Sequence, residues 1–207
     1  MALVYDTTLV PGKVDLLAAW LPTRPWFRGG PNPRFTRAAG GFRLDDPAGE
    51  VGIEFVVVTD ASAPGKVVYL TPMTYRGAPM PGADDALIGT AEHGVLGPRW
   101  FYDAPHDPVF VEQLARLLGG HAQPQHRDDS DTVDTTVTVL TADFEVPTSG
   151  FDTVSVTDTA TSTEISFGAD RPAIRLHRTI TPDASAGIRV QAPWDEGSAR
   201  GVFVSVV

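Results

Sequence analysis

The sequence predicts an α+β fold followed by a β-rich antiparallel segment, and three observations carry that reading. The apolar period changes from helical to strand-like after Gly41. One well-punctuated helix then ends at Gly119-Gly120. Beyond residue 132 the chain breaks into short β-branched runs bounded by Gly, Pro, Asp and Ser. Three segments follow from this: residues 1–120 as an α+β unit, 121–131 as a polar linker, and 132–207 as an acidic β-rich segment.

Element by element, Gly12 to Leu21 places Leu16, Leu17, Trp20 and Leu21 on one helical face, and Pro22 stops it. Residues 22–40 carry Pro22, Pro25, Gly29-Gly30, Pro31, Pro33 and Gly40, and read as an extended, turn-rich connection. Val51–Val58 and Val67–Thr74 read as a hairpin with a long connection over residues 60–65. Ala86–Glu92 and Leu96–Tyr102 read as the next strand pair. In the second helix Asp107 suits the N-cap and Pro108 the first turn, while Phe110, Leu114, Leu117 and Leu118 form the apolar stripe. Polar residues His121–Asp131 mark the linker. Val133–Leu140 then alternates in period two, and Val154–Val156, Glu164–Phe167, Ala173–His177, Ile188–Val190 and Val202–Val206 continue as short strands.

Composition excludes several classes of function. The 207 residues contain no cysteine, so there is no disulfide, thiol nucleophile or thiolate-bound metal. A formal charge of −10 disfavours nucleic acid as a partner. Charge is uneven: residues 1–127 carry a net −2 and residues 128–207 a net −8. Fourteen arginines against two lysines fit a GC-rich genome better than selection for anion recognition, although arginine is also the better fork for carboxylate and phosphate. No apolar run reaches the roughly 18 to 20 residues of a membrane span, and Met1–Val10 lacks the basic start of a signal peptide. A cytoplasmic protein that does not enter a membrane is the expectation.

Catalytic signatures are absent by residue type. Gly12-Lys13 and Gly65-Lys66 lack the rest of a phosphate-binding loop, and no serine lies in a G-x-S-x-G elbow. His121 and His126 lie in the linker without further ligands at metal-binding spacing, so neither a metal nor another cofactor is expected. Asp103 and His106 would suit general-base work, but strand-ending and helix-capping roles explain Asp103 and Asp107 better. Among the aromatics, Trp20, Trp26, Phe27, Trp100 and Phe101 offer stacking surfaces, with Arg24, Arg28 and Arg99 to fork hydroxyls. Trp20 belongs to the helix face. Trp26 and Phe27, with Arg24 and Arg28, are the candidate ligand-binding set.

Four motifs in order carry a family resemblance. They are Trp20-Leu21-Pro22-Thr23-Arg24-Pro25-Trp26-Phe27-Arg28-Gly29, Tyr69-Leu70-Thr71-Pro72-Met73, Leu87-Ile88-Gly89-Thr90, and Tyr102-Asp103-Ala104 with His106-Asp107-Pro108. Over about residues 5–119 the chain resembles the N-terminal cap domain of maltokinases. The resemblance implies a helix packed on a curved antiparallel sheet, a cystatin-like arrangement, which in that family precedes a kinase lobe. The 88 residues after Gly119 are too few for a kinase catalytic lobe, and no catalytic-loop aspartate or second metal-binding carboxylate follows. Residues 161–168 and 173–178 resemble the first strands of a kinase N-lobe, with Arg175 where that family places its lysine. The expectation is a non-catalytic accessory or regulatory protein with a protein partner in maltose, trehalose or α-glucan metabolism. The alternatives are a small-molecule or oligosaccharide-binding module and a glucan-active enzyme, which would need a carboxylate pair roughly 5 to 9.5 Å apart.

Overall fold

β-branched and aromatic side chains make residues 52–60 and 67–76 the two longest strands, and the first half of the chain is arranged around their hairpin. The computed structural model describes residues 7–30, 32–37, 40–62, 66–141, 145–180, 187–194 and 199–207. The start of the N-terminal segment, Met1–Asp6, and part of the hairpin connection, residues 63–65, lie outside the described residues.

The elements of the first half are β1 (Leu9–Val10), α1 (Lys13–Trp20), β2 (Phe35–Arg37), β3 (Arg43–Leu44), β4 (Gly52–Asp60), β5 (Val67–Arg76), β6 (Leu87–His93), β7 (Gly97–Asp103) and α2 (Pro108–Leu118). Their strands form one curled antiparallel half-barrel in the order β1-β6-β7-β5-β4-β2. β2 and β3 share an edge of β4, pairing with Val58–Asp60 and with Ile53–Glu54 respectively. The second half supplies β8 (Thr138–Leu140), β9 (Ser155–Asp158), β10 (Ser162–Ser166), β11 (Ile174–His177), β12 (Arg189–Pro193) and β13 (Arg200–Val206). These make a separate six-stranded antiparallel sheet, β8-β12-β13-β11-β10-β9.

Alternation along β4 sorts the core into two layers. Ile53, Phe55 and Val57 face a buried cluster shared with Phe110, Leu114 and Leu117 of α2 and with Ile165, Leu176, Val190 and Phe203 of the second sheet. Phe42 stacks on Phe55 at 4.2 Å and reaches Phe203 at 6.2 Å, so aromatic packing runs from one sheet to the other. Val56 and Val58 face the opposite way, against Leu16, Leu17 and Trp20 of α1 and the buried Trp26. Leu16 lies over Gly89, where a Cβ would come within 2.8 Å of its side chain. The second sheet and α2 therefore cover one face of the half-barrel, and α1 covers the other.

Two further contacts join the halves. β7 pairs with β5 only over Met73–Arg76, and the remaining edge is met by residues 178–180. There the Leu70 N–H donates to the Arg178 carbonyl at 3.0 Å and the Ile180 N–H to the Val68 carbonyl at 2.9 Å. This satisfies an edge that would otherwise expose backbone donors and acceptors. Arg178 itself is fully buried. Its Nη2 donates to both Asp103 oxygens at 2.6 and 2.8 Å, its Nε donates to Thr163 Oγ1 at 2.6 Å, and the guanidinium lies 4.8 Å from the Trp26 ring centroid.

α2 spans the predicted residues. Asp107 accepts from the Val109 N–H at 3.0 Å as N-cap and also takes a bidentate bond from Arg76. α1 ends one residue short of Leu21, which starts a single 3-10 turn through Pro22. Two expectations change. The segment read as connection contains β2, because Phe35–Arg37 finds an open edge of β4. The period-two run Val133–Leu140 is a strand only from Thr138, because Asp134 bonds the Thr136 N–H and hydroxyl and holds the chain in a turn.

Asp103→Ala would leave the Arg178 charge buried without its anion. The expected cost is about 3–5 kcal/mol, read as a lower urea midpoint. Removing both charges with D103L/R178M is expected to restore part of that loss.

Candidate functional site: a basic cleft around Glu54

Strand β4 reads Gly-Ile-Glu-Phe-Val-Val-Val-Thr-Asp, and of its two carboxylates Glu54 lies inside the apolar run, on the α1-facing side, while Asp60 ends the strand. Glu54 is 2% exposed. Lys13 from the first turn of α1 and Arg37 from the end of β2 each bond one of its carboxylate oxygens. Arg43 on β3 stands in register with Glu54 and is itself buried. Its Nη2 donates to Tyr75 Oη at 2.5 Å. The Tyr75 ring lies across Gly52, where an added Cβ would fall 1.9 Å from a ring atom, and packs 5.5 Å from Phe101 of β7. Only glycine leaves that ring its place.

These groups line a cleft of about 540 Å³, the size of a small-molecule site. Arg99, two residues along β7 from Phe101, and His93 at the end of β6 form another wall, and Arg127 with Asp128 closes it from the linker. Asp46 and Glu50 are also in the lining, but Asp46 accepts backbone bonds from Ala48, Glu50 and Val51 at 2.9–3.0 Å. Both acids also hold the Arg76 guanidinium charged, after Asp107.

Protonation follows from these contacts. Burial pushes the Glu54 carboxyl up, but Lys13 and Arg37, with Arg43 behind them, outweigh it and hold it down at about 2. Burial raises the Tyr75 phenol to about 12 against the opposing pull of Arg43, so it keeps its proton. His93 is lowered by burial first, then by Arg99 and Lys13. Its Nδ1 accepts from the Leu96 N–H at 3.1 Å, which requires the neutral ring on that nitrogen.

The four residues singled out in the sequence lie elsewhere on the same sheet face. Trp26 has no exposed surface and is wedged between Trp20 at 5.8 Å, Tyr69 at 6.0 Å and Arg178. Phe27 is half-buried and stacks on Tyr69 at 5.7 Å. Arg24 lies 4.8 Å from the Trp20 ring, and Arg28 is exposed, its backbone N–H donating to Tyr69 Oη. The set is an aromatic cluster with two arginines at its margin. Of the other stacking candidates, Phe101 and Arg99 do reach the cleft. Asp103 faces Arg178 while His106 is exposed. His126 lies 3.1 Å from its neighbour Asp129, and among the described residues no three His, Asp or Glu gather for a metal. Arg175 pairs across strands with Glu164 at 2.8 Å.

Arg37, Arg43, Glu54 and Tyr75 went unremarked in the sequence, and Lys13 entered only as part of a rejected phosphate-loop pair. One signal was available, the glutamate inside the apolar run Gly52-Ile53-Glu54-Phe55-Val56. A charge there has to be paired to be buried.

Glu54 supplies a pH test. Its folded value of about 2 lies below the ordinary 4.5, so its contribution is present above about 4.5 and is lost as pH falls toward 2. That contribution is about 3 kcal/mol. In Glu54→Gln, the slope of unfolding free energy against pH over that window is expected to flatten.

No match is found among curated proteins. Residues 20–107 run from the last residue of α1 through the half-barrel to the N-cap of α2. They contain every cleft residue named above except Lys13 and the Arg127–Asp128 pair. Over that span the chain matches the family model of the maltokinase N-terminal cap domain.

Proposed function

We infer that this protein is a non-catalytic, cap-like accessory or regulatory module that works by binding through the Glu54 cleft. The observation that carries this reading is the state of the cleft's buried carboxylate. Glu54 is held ionised at about 2 by two cations, so near neutral pH it has no proton to give and is a poor proton acceptor. Asp46 is occupied by backbone N–H groups, and the ring of basic side chains suits recognition better than acid–base chemistry. The link to maltose, trehalose or α-glucan metabolism is supported by the cap-domain match.

Adding the purified chain to a maltokinase assay tests the role. A regulatory partner is expected to shift the apparent affinity for sugar by about fivefold or more. No shift, together with no glucan or trehalose enzyme co-purifying with the chain, would overturn the accessory reading.

A second reading, an oligosaccharide-binding module, is favoured by the Tyr75–Phe101 pair set among guanidinium groups in the cleft. Trp100 adjoins Phe101 and is half-buried, so tryptophan fluorescence titrated with maltose, trehalose and maltooligosaccharides should change saturably. If the sugar sits in the cleft, Arg99→Gln weakens the change. If it sits at Arg24, Phe27 and Arg28 beside Trp26, Arg28→Gln does so instead.

A further inference from the structure

We propose that the cleft is a binding site for a small oxyanion of the phosphomonoester class, held by Arg43 and Arg99. The proposal rests on the cleft being the working surface and adds the chemistry of its ligand. Charge points to an anion. Lys13 and Arg37 both spend themselves on one carboxylate, which leaves that trio one positive charge in excess. Arg127 is paired with Asp128. Arg43 and Arg99 make no salt bridge among the described residues: Arg43 acts on Glu54 only at a distance and donates to the neutral Tyr75 hydroxyl, and Arg99 donates to the Pro98 carbonyl. The acidic lining residues Asp46 and Glu50 act on Arg76. A protein of formal charge −10 thus keeps a local positive excess in its cleft.

Donor chemistry agrees. Arg43 is 7% exposed, yet its Nε has no hydrogen-bond partner. A buried guanidinium N–H without an acceptor is costly and calls for one. Tyr75 Oη accepts from Arg43, so its own hydrogen is left to donate. Two guanidinium forks and a hydroxyl match the several acceptor oxygens and the charge of about −1.5 to −2 on a phosphate ester. At about 540 Å³ the cleft has room for more than the phosphate group itself.

The test is calorimetric titration of the full chain at low salt and neutral pH with four probes: inorganic phosphate, glucose 1-phosphate, glucose and maltose. Saturable binding of glucose 1-phosphate is expected, weakened about tenfold or more in Arg99→Gln, whose half-exposed side chain makes no ion pair among the described residues. Arg43→Gln is expected to do the same, with unchanged circular dichroism as its folding control. Glucose 1-phosphate binding far more tightly than phosphate identifies a phosphorylated small molecule as the ligand; equal binding of the two identifies free phosphate. Anion binding that both substitutions leave unchanged would overturn the site. Maltose binding without anion binding would overturn the oxyanion proposal while leaving the cleft as the binding surface. If no probe binds but the chain still shifts the maltokinase assay, the oxyanion site falls and the accessory role stands.

Discussion

Asp103 and Arg178 form an ion pair, one guanidinium nitrogen against both carboxylate oxygens, with almost no solvent access and 75 residues apart in sequence. Asp103 closes β7 of the half-barrel, and Arg178 follows β11 of the second sheet. Burying two charges costs more than their attraction returns unless the other hydrogen-bonding positions are filled. Thr163 and the Trp26 ring fill part of that requirement, and Trp26 is in turn packed on Trp20 of α1. The pair thereby fixes three bodies at one point: α1 with the proline-rich segment, the half-barrel, and the second sheet. The backbone bonds between residues 68–70 and 178–180 lie beside it and depend on the same approach.

With that relationship fixed, the two faces of the half-barrel take different work. One face meets α2 and the second sheet in a single apolar cluster centred on Phe42, Phe55 and Phe203. The other meets α1, whose Leu16, Leu17 and Trp20 cover the apolar portion and whose first turn, at Lys13, borders the end bearing Glu54, Tyr75 and Arg99. The cleft opens between that first turn and the sheet's polar end. Its charges are organised by Glu54, which draws Lys13 from α1 and Arg37 from β2 to the same carboxylate and so ties the roof of the sheet to its edge. A group so used contributes to structure and to the local field, while the binding chemistry falls to its neighbours.

Much of the fold was legible because its signals are local. Asp107-Pro108 at the start and Gly119-Gly120 at the end delimit α2 through capping geometry that needs no distant partner. β4 and β5 are legible for the same reason, as long β-branched runs. β2 and the turn at Asp134 were not. β2 is three residues that become a strand only because β4 offers an edge, and Asp134 overrides a period-two pattern through its own side chain. The motifs of the cap domain were legible as an ordered set, and residues 20–107 match that family.

The candidate site divides the same way. Residue types and order by themselves determined the longer elements, the likeness of residues 20–107 to the cap domain and the absence of thiol chemistry, because each is a property of nearby residues or of composition. Trp26 and Phe27 drew attention as aromatics in a loop, yet the fold uses Trp26 as the buried face against which Arg178 lies. Tertiary structure alone decided that Lys13, Arg37, Arg43, Glu54, Tyr75 and Arg99, drawn from six elements, share one cleft. The reason is that strand order and sheet curl set which distant side chains become neighbours, and a charge acquires its role from the groups that surround it.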